Sequence, residues 1–171
     1  MAVPQLTQAS RRTGATAATL LFERLPDRLF APLSSVNRHR YWALLCRLHE
    51  KRFGPDAPLP PSQGFSAREI VQDIEDELLT QDIWETEDGY SPETPINIRA
   101  LQVFHRFEEA GWFRLEKLGV EKRVTMQPTV NQFLTILVSF AETGPIFLSG
   151  KIRSIDLNIQ QVIEGKADGD T

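Results

Sequence analysis

Only one cysteine occurs in 171 residues, so no internal disulfide can form. Cys46 sits within a helical pattern and reads as a small core hydrophobe in a reducing compartment. Long apolar runs are also missing, and none approaches the roughly 20 residues a membrane span needs. The first 19 residues hold Arg11 and Arg12 but no apolar stretch before a small-residue cleavage site, so no secretory signal is present. These absences point to a cytoplasmic protein that does not engage a membrane.

Catalytic and metal-binding patterns are absent too. His39 and His49 fall on one predicted helix, ten residues apart, and His105 on another, with no HExxH or CxxC pattern beside them. They read as surface or boundary histidines. Asp73 and Glu77 stand four apart and would suit a hard cation, but a solvated helix face accounts for them. The acidic run 85–89 lacks the alternating ligands of a calcium loop and reads as solvated. Gly144 and Gly150-Lys151 suggest a phosphate loop, yet five residues separate the glycines where four are needed. Ile152 also stands where a magnesium-holding hydroxyl belongs. No enzyme, cofactor or small-molecule substrate is implied.

What remains is an ordinary globular composition, 41% apolar and 25% charged, enough for one domain with an attached helical element. The charge of −4 is unevenly spread. Residues 1–65 carry a net +5, residues 66–110 a net −9, and residues 111–171 balance. A dedicated DNA reader has a basic face and a high pI, whereas this chain has a pI near 5.4.

Residues 1–19 read as a flexible arm. Leu20, Leu21, Phe22, Leu25, Leu29, Phe30 and Leu33 then form a dense apolar segment, which Pro26 and Pro32 keep from being one helix. It is covered either by the chain's own domain or by a partner. The spacing predicts a helix over 34–53, capped by Ser34, Ser35 or Asn37 and stopped at Gly54-Pro55. A stiff proline-rich loop follows over 54–65. Ser66 and Glu69 form a capping box for a helix whose apolar face is Ala67, Ile70, Val71, Ile74 and Leu78. Asp73, Glu75, Asp76 and Glu77 lie on its opposite, solvated face. Residues 80–93 read as an acidic loop, and Pro95 as the first residue of a helix ending at Gly111. Residues 112–117 and 122–126 read as strands of a hairpin. Helices over 128–142 and 146–164 follow, the first apolar around more than half its circumference, and residues 165–171 form a polar, disordered tail.

Helix, helix, helix, hairpin is the winged-helix order. The predicted fold class is therefore mainly α with a small β-hairpin: a winged-helix domain over 20–127, then a helical extension over 128–164. In a DNA-reading winged helix the third helix enters the major groove. Here that helix offers only Arg99 and Arg106, against Glu108 and Glu109. The hairpin is better supplied, and Arg114, Lys117, Lys122 and Arg123 are candidates for weak phosphate contact. Leu148, Ile152, Ile155, Ile159 and Val162 repeat at four and three, a narrow seam that lies against another helix. That helix is either 128–142 or a partner's coiled coil.

The runs Leu21-Phe22-Glu23-Arg24-Leu25-Pro26 and Leu29-Phe30-Ala31-Pro32-Leu33-Ser34-Ser35, with Asn37-Arg38 and Tyr41-Trp42, resemble the Wadjet JetA family. So do Phe53 to Pro61, Gly64-Phe65 and Arg68-Glu69-Ile70. These proteins are bacterial condensin kleisins similar to MukF and MksF. The resemblance spans about residues 20–164 and consists of many small matches, with no single diagnostic motif. It implies a homodimer that joins an SMC ATPase and a small winged-helix accessory subunit in defence against plasmid DNA, with ATP hydrolysis and cleavage left to other subunits. DNA is then met through the complex, weakly or not at all by this chain alone, at the nucleoid or on a plasmid. Leu21, Phe22, Leu25, Leu29 and Phe30 become candidates for the dimer interface. Leu148, Ile152, Ile155, Ile159 and Val162 become candidates for binding the SMC neck. Such kleisins continue into a further C-terminal winged helix, so the chain is expected to be a fragment. The alternative is a winged-helix transcription regulator.

Overall fold

The computed structural model describes residues 16–87 and 91–144. The chain divides into two compact units at residues 133/134, and of the second unit residues 134–144 are described. The architecture is mainly α with one small antiparallel sheet, as the sequence predicts. Helix α1 covers 16–24, α2 Arg38–Leu48, α3 Ala67–Leu78, α4 Ile96–Ala110, and α5 is described over 128–144. Strands β2 (Arg114–Leu118) and β3 (Glu121–Thr125) form the hairpin.

Sequence and structure diverge first in the region 31–53. Pro32–Ser34 form a separate 3-10 turn, and α2 starts only at Arg38. Ser34 and Ser35 cap nothing: their hydroxyls donate backwards to the carbonyls of Ala31 and Pro32. Asn37 does occupy the N-cap position, but its amide is used elsewhere. Its Nδ2 donates to the Glu85 carbonyl and its Oδ1 accepts from the Glu85 amide, both at 2.9 Å. At the other end α2 widens into a π turn over His49–Phe53, closed by the Gly54 amide on the His49 carbonyl. Asn131 then donates to the Phe53 carbonyl.

The capping box at Ser66 and Glu69 is present at the start of α3. Pro95 holds the N-cap of α4, one residue before the predicted position. Gly111 ends that helix at φ 95°, in the left-handed region. A Cβ there would also lie 2.5 Å from two ring carbons of Pro26. Gly111→Ala is therefore expected to cost at least about 2 kcal/mol, from backbone strain plus the clash. Urea unfolding of the variant checks this, and a midpoint equal to wild type would refute it.

The first strand begins two residues later than the sequence predicts, with Trp112 and Phe113 buried ahead of it, and the second begins one residue earlier. A third strand, β1 (Phe65–Ser66), joins on the open side of β3, with Phe65 opposite Val124. Gly64 makes that approach possible, since a side chain at its φ of 82° would run into the Val124 carbonyl. Phe53, Phe65, Phe104, Phe107 and Phe113 stack behind the sheet, with ring centroids 5.5–5.9 Å apart.

Three further expectations are corrected. Asp73 lies in the core side of α3, away from the solvated face assigned to it. The acidic run 85–89 is likewise not simply solvated, because Glu87 is half-buried and bonded to Arg106 and Asn37, while Trp84 just before it is fully buried against Tyr41 at 4.8 Å. Helix α5, expected to be covered on several sides, buries Val130 and Leu134 but leaves Ile136 and Phe140 exposed.

Candidate partner-binding surfaces

The charge asymmetry of the sequence is partly consumed inside the fold. Lys51 and Arg52, adjacent in the π turn, both reach Asp73, at 2.8 and 2.6 Å. Arg52 also lies over the Phe65 ring. Burial alone would push the Asp73 carboxyl up, but the hydrogen bonds and charges of Arg52 and Lys51 outweigh it and hold it below the ordinary range. Arg47 bonds Glu50 and approaches Glu77. Arg40 donates to the Ile83 carbonyl at 2.7 Å. Cations of the first 65 residues thus pin Asp73 and Glu77, and most of the described acidic residues between 66 and 110 stay uncompensated.

The two arginines of α4 are turned the same way. Arg99 is buried and donates to the carbonyls of Ser91 and Pro92. Arg106 bonds the Glu87 carboxylate at 3.1 Å and lies over the Tyr41 ring. Tyr41 itself is buried, which pushes its phenol up to about 12, so it stays neutral across the physiological range. What α4 leaves exposed is Asn97, Ile98, Leu101, His105 and Glu109, with no cation among them. A groove-reading helix needs donors and positive charge at that face. This one presents half-exposed Ile98 and Leu101 instead.

The hairpin keeps less of its charge than the sequence suggests. Arg123 is paired with Glu121 at 2.8 Å. Arg114 donates to the Gln127 side chain when that amide is turned to accept. Lys117 and Lys122 face each other across the ladder and are exposed. Those two lysines, with the exposed Arg114, whose partner is a neutral amide, are what the hairpin can offer a phosphate backbone.

The apolar segment 21–30 splits. Leu25 and Leu29 are 5% and 0% exposed and belong to the chain's own core, so they cannot face a partner without unpacking it. The four-residue spacing that nominated them reflects internal packing. Leu21 and Phe22 are 45% and 52% exposed on α1, a helix whose described residues are exposed except for the half-buried Leu20. Phe30 lies edge-on to Phe133 at 5.8 Å and remains partly exposed. Leu148, Ile152, Ile155, Ile159 and Val162 lie outside the described residues.

Among the exposed apolar residues that had no place in the sequence reading are Leu79 and Ile83, either side of the turn that ends α3. The only signal for Leu79 is that it falls off the α3 stripe just after Leu78. Among the described residues no three His, Cys, Asp or Glu side chains gather as a metal site. Among the same residues no helix is long and apolar enough to cross a membrane.

No curated protein and no solved structure matches the chain significantly. The family model described as Wadjet protein JetA matches residues 61–169, well over half of the sequence. That match begins after the motifs at 21–42 and includes α3, α4, the hairpin and α5. The chain belongs to the Wadjet protein JetA family.

Proposed function

We propose that this chain is a non-catalytic, kleisin-type subunit of a Wadjet complex, working by protein contacts in defence against plasmid DNA. In this reading residues 20–127 form a winged-helix dimerisation domain and the helices after it meet the neck of an SMC ATPase. A small winged-helix accessory subunit completes the assembly in the cytoplasm, at the nucleoid or on a plasmid. Family membership supports the complex. The observation that favours protein over DNA as the direct partner is the inward turn of Arg99 and Arg106, which leaves α4 an outer face with two apolar residues and no Lys or Arg. The dimer contact is assigned to α1, through Leu21 and Phe22, with Phe30 at its edge.

Light scattering over a dilution series tests the dimer. Wild type is expected near twice 19.4 kDa. A Leu21→Ser/Phe22→Ser variant is expected at one chain mass with unchanged circular dichroism, because both side chains are exposed. Replacing Leu25 or Leu29 cannot serve, since it would unfold the core. A wild-type monomer at every concentration would remove the dimer from the reading. DNA titration separates the transcription-regulator alternative. With Lys117 and Lys122 as the contacts, log K should fall against log salt with a slope of about −2, roughly 0.9 per phosphate. Tight, sequence-selective binding with a much steeper slope would favour the regulator.

A further inference from the structure

We propose that Leu79 and Ile83 form the apolar centre of a docking surface for a basic amphipathic helix of a protein partner. The two residues are 67% and 76% exposed, four apart across the turn at residues 80–81. Exposed apolar side chains on loose loops are common and carry no information. These are held. The Leu79 amide bonds the Glu75 carbonyl, and the Ile83 carbonyl is gripped by Arg40 at 2.7 Å. Between them Gln81 donates to the Arg40 carbonyl and accepts from the Trp84 indole. Trp84, the next residue after Ile83, is fully buried. Ile83 therefore stands outward from a fixed backbone, the arrangement in which an apolar anchor binds with little ordering cost.

The charge around this centre selects the partner. Asp76, Asp82 and Glu85 are exposed beside it, and among the described residues none of their carboxylates has an ion pair. Of the nearby cations, Arg47 is paired with Glu50 and Glu77, Lys51 and Arg52 with Asp73, and Arg106 with Glu87, while Arg40 bonds only the neutral oxygens of Asn37 and Ile83 and sets one positive charge against those three carboxylates. The residual field is negative, which repels a phosphate backbone. It suits an apolar stripe flanked by Lys or Arg, laid on the surface in helical form. The surface does not involve the segment 21–30, so it stands or falls apart from the dimer.

The test uses the full chain and three labelled synthetic peptides followed by fluorescence anisotropy. One carries a leucine stripe flanked by lysines, one the same stripe flanked by glutamates, and one the lysine peptide scrambled so that no stripe forms. The lysine-stripe peptide is expected to bind at least about tenfold more tightly than either control, and more weakly as salt rises. Leu79→Ser/Ile83→Ser should weaken it at least about tenfold, and Asp82→Asn/Glu85→Gln should flatten its salt dependence. Because all four side chains are exposed, both variants keep the wild-type circular dichroism. Equal binding of the scrambled peptide, or an affinity untouched by Leu79→Ser/Ile83→Ser, would overturn the proposal. So would a chain dimer that this same pair of substitutions dissolves, which would assign the surface to a second copy.

Discussion

Trp112→Ala is expected to be the most damaging single substitution outside the glycines, costing about 3–5 kcal/mol. Total stability for a domain of this kind is about 5–15 kcal/mol, so the loss removes a large share of it and, at the low end of that range, nearly all. Trp112 is completely buried, and its indole N–H donates to the Leu29 carbonyl at 2.9 Å across 83 residues of sequence. That bond and the surrounding packing fasten the segment 25–30 to the end of α4, next to the contact between Gly111 and Pro26. Truncation leaves both a large void and a buried carbonyl without its donor. Trp112→Phe separates the two effects, because most of the volume stays and only the donor goes. It should cost about 1–2 kcal/mol. Urea unfolding monitored by circular dichroism measures both, and an alanine variant within about 1 kcal/mol of wild type would contradict this picture. The consequence for function follows from position. If Leu21 and Phe22 form the proposed dimer contact, loss of this anchor should weaken dimerisation as well as folding.

Asp73→Asn should give the second largest effect, together with a change in how stability depends on pH. Asp73 is buried while Lys51 and Arg52 remain partly open to water. Losing the carboxylate therefore leaves two cations that can rehydrate in part. A cost of about 2 kcal/mol is expected, below the roughly 3–5 seen when a fully buried charge is stranded. The sign of the pH dependence follows from the lowered pKa of Asp73 in the folded state. Its stabilisation is fully present above the unfolded-state value, about 3.9, and is lost as pH falls through the folded value. Wild type should thus lose stability on acidification below about pH 4, and Asp73→Asn should lose visibly less over the same range. Guanidinium unfolding at a series of pH values reads the two slopes. Parallel curves would mean that Asp73 does not carry the acid sensitivity.

Several elements of this fold were legible because their signals are local. The capping box at Ser66 and Glu69, the stop at Gly111 and the apolar face of α3 each lie within a few residues of what they specify. The hairpin and the stiff loop over 54–65 belong with them.

Periodicity, however, marks which side chains are apolar and is silent about what covers them. Leu21, Leu25 and Leu29 share one spacing, yet Leu25 and Leu29 fill the core and Leu21 does not, because Pro26 turns the chain onto Gly111 after α1. Asp73 looks like its acidic neighbours until a π turn 21 residues earlier brings Lys51 and Arg52 against it. Strand β1 has only two residues, too short for any alternation to show, and exists because β3 offers it an edge. The mainly α fold class, the capped start of α3 and the glycine stop of α4 were determined by the sequence alone, through short-range backbone and capping chemistry. Which arginines are spent, which carboxylates stay uncompensated and which leucines face outward were decided only by the tertiary structure, because each depends on pairs that meet far apart in the chain.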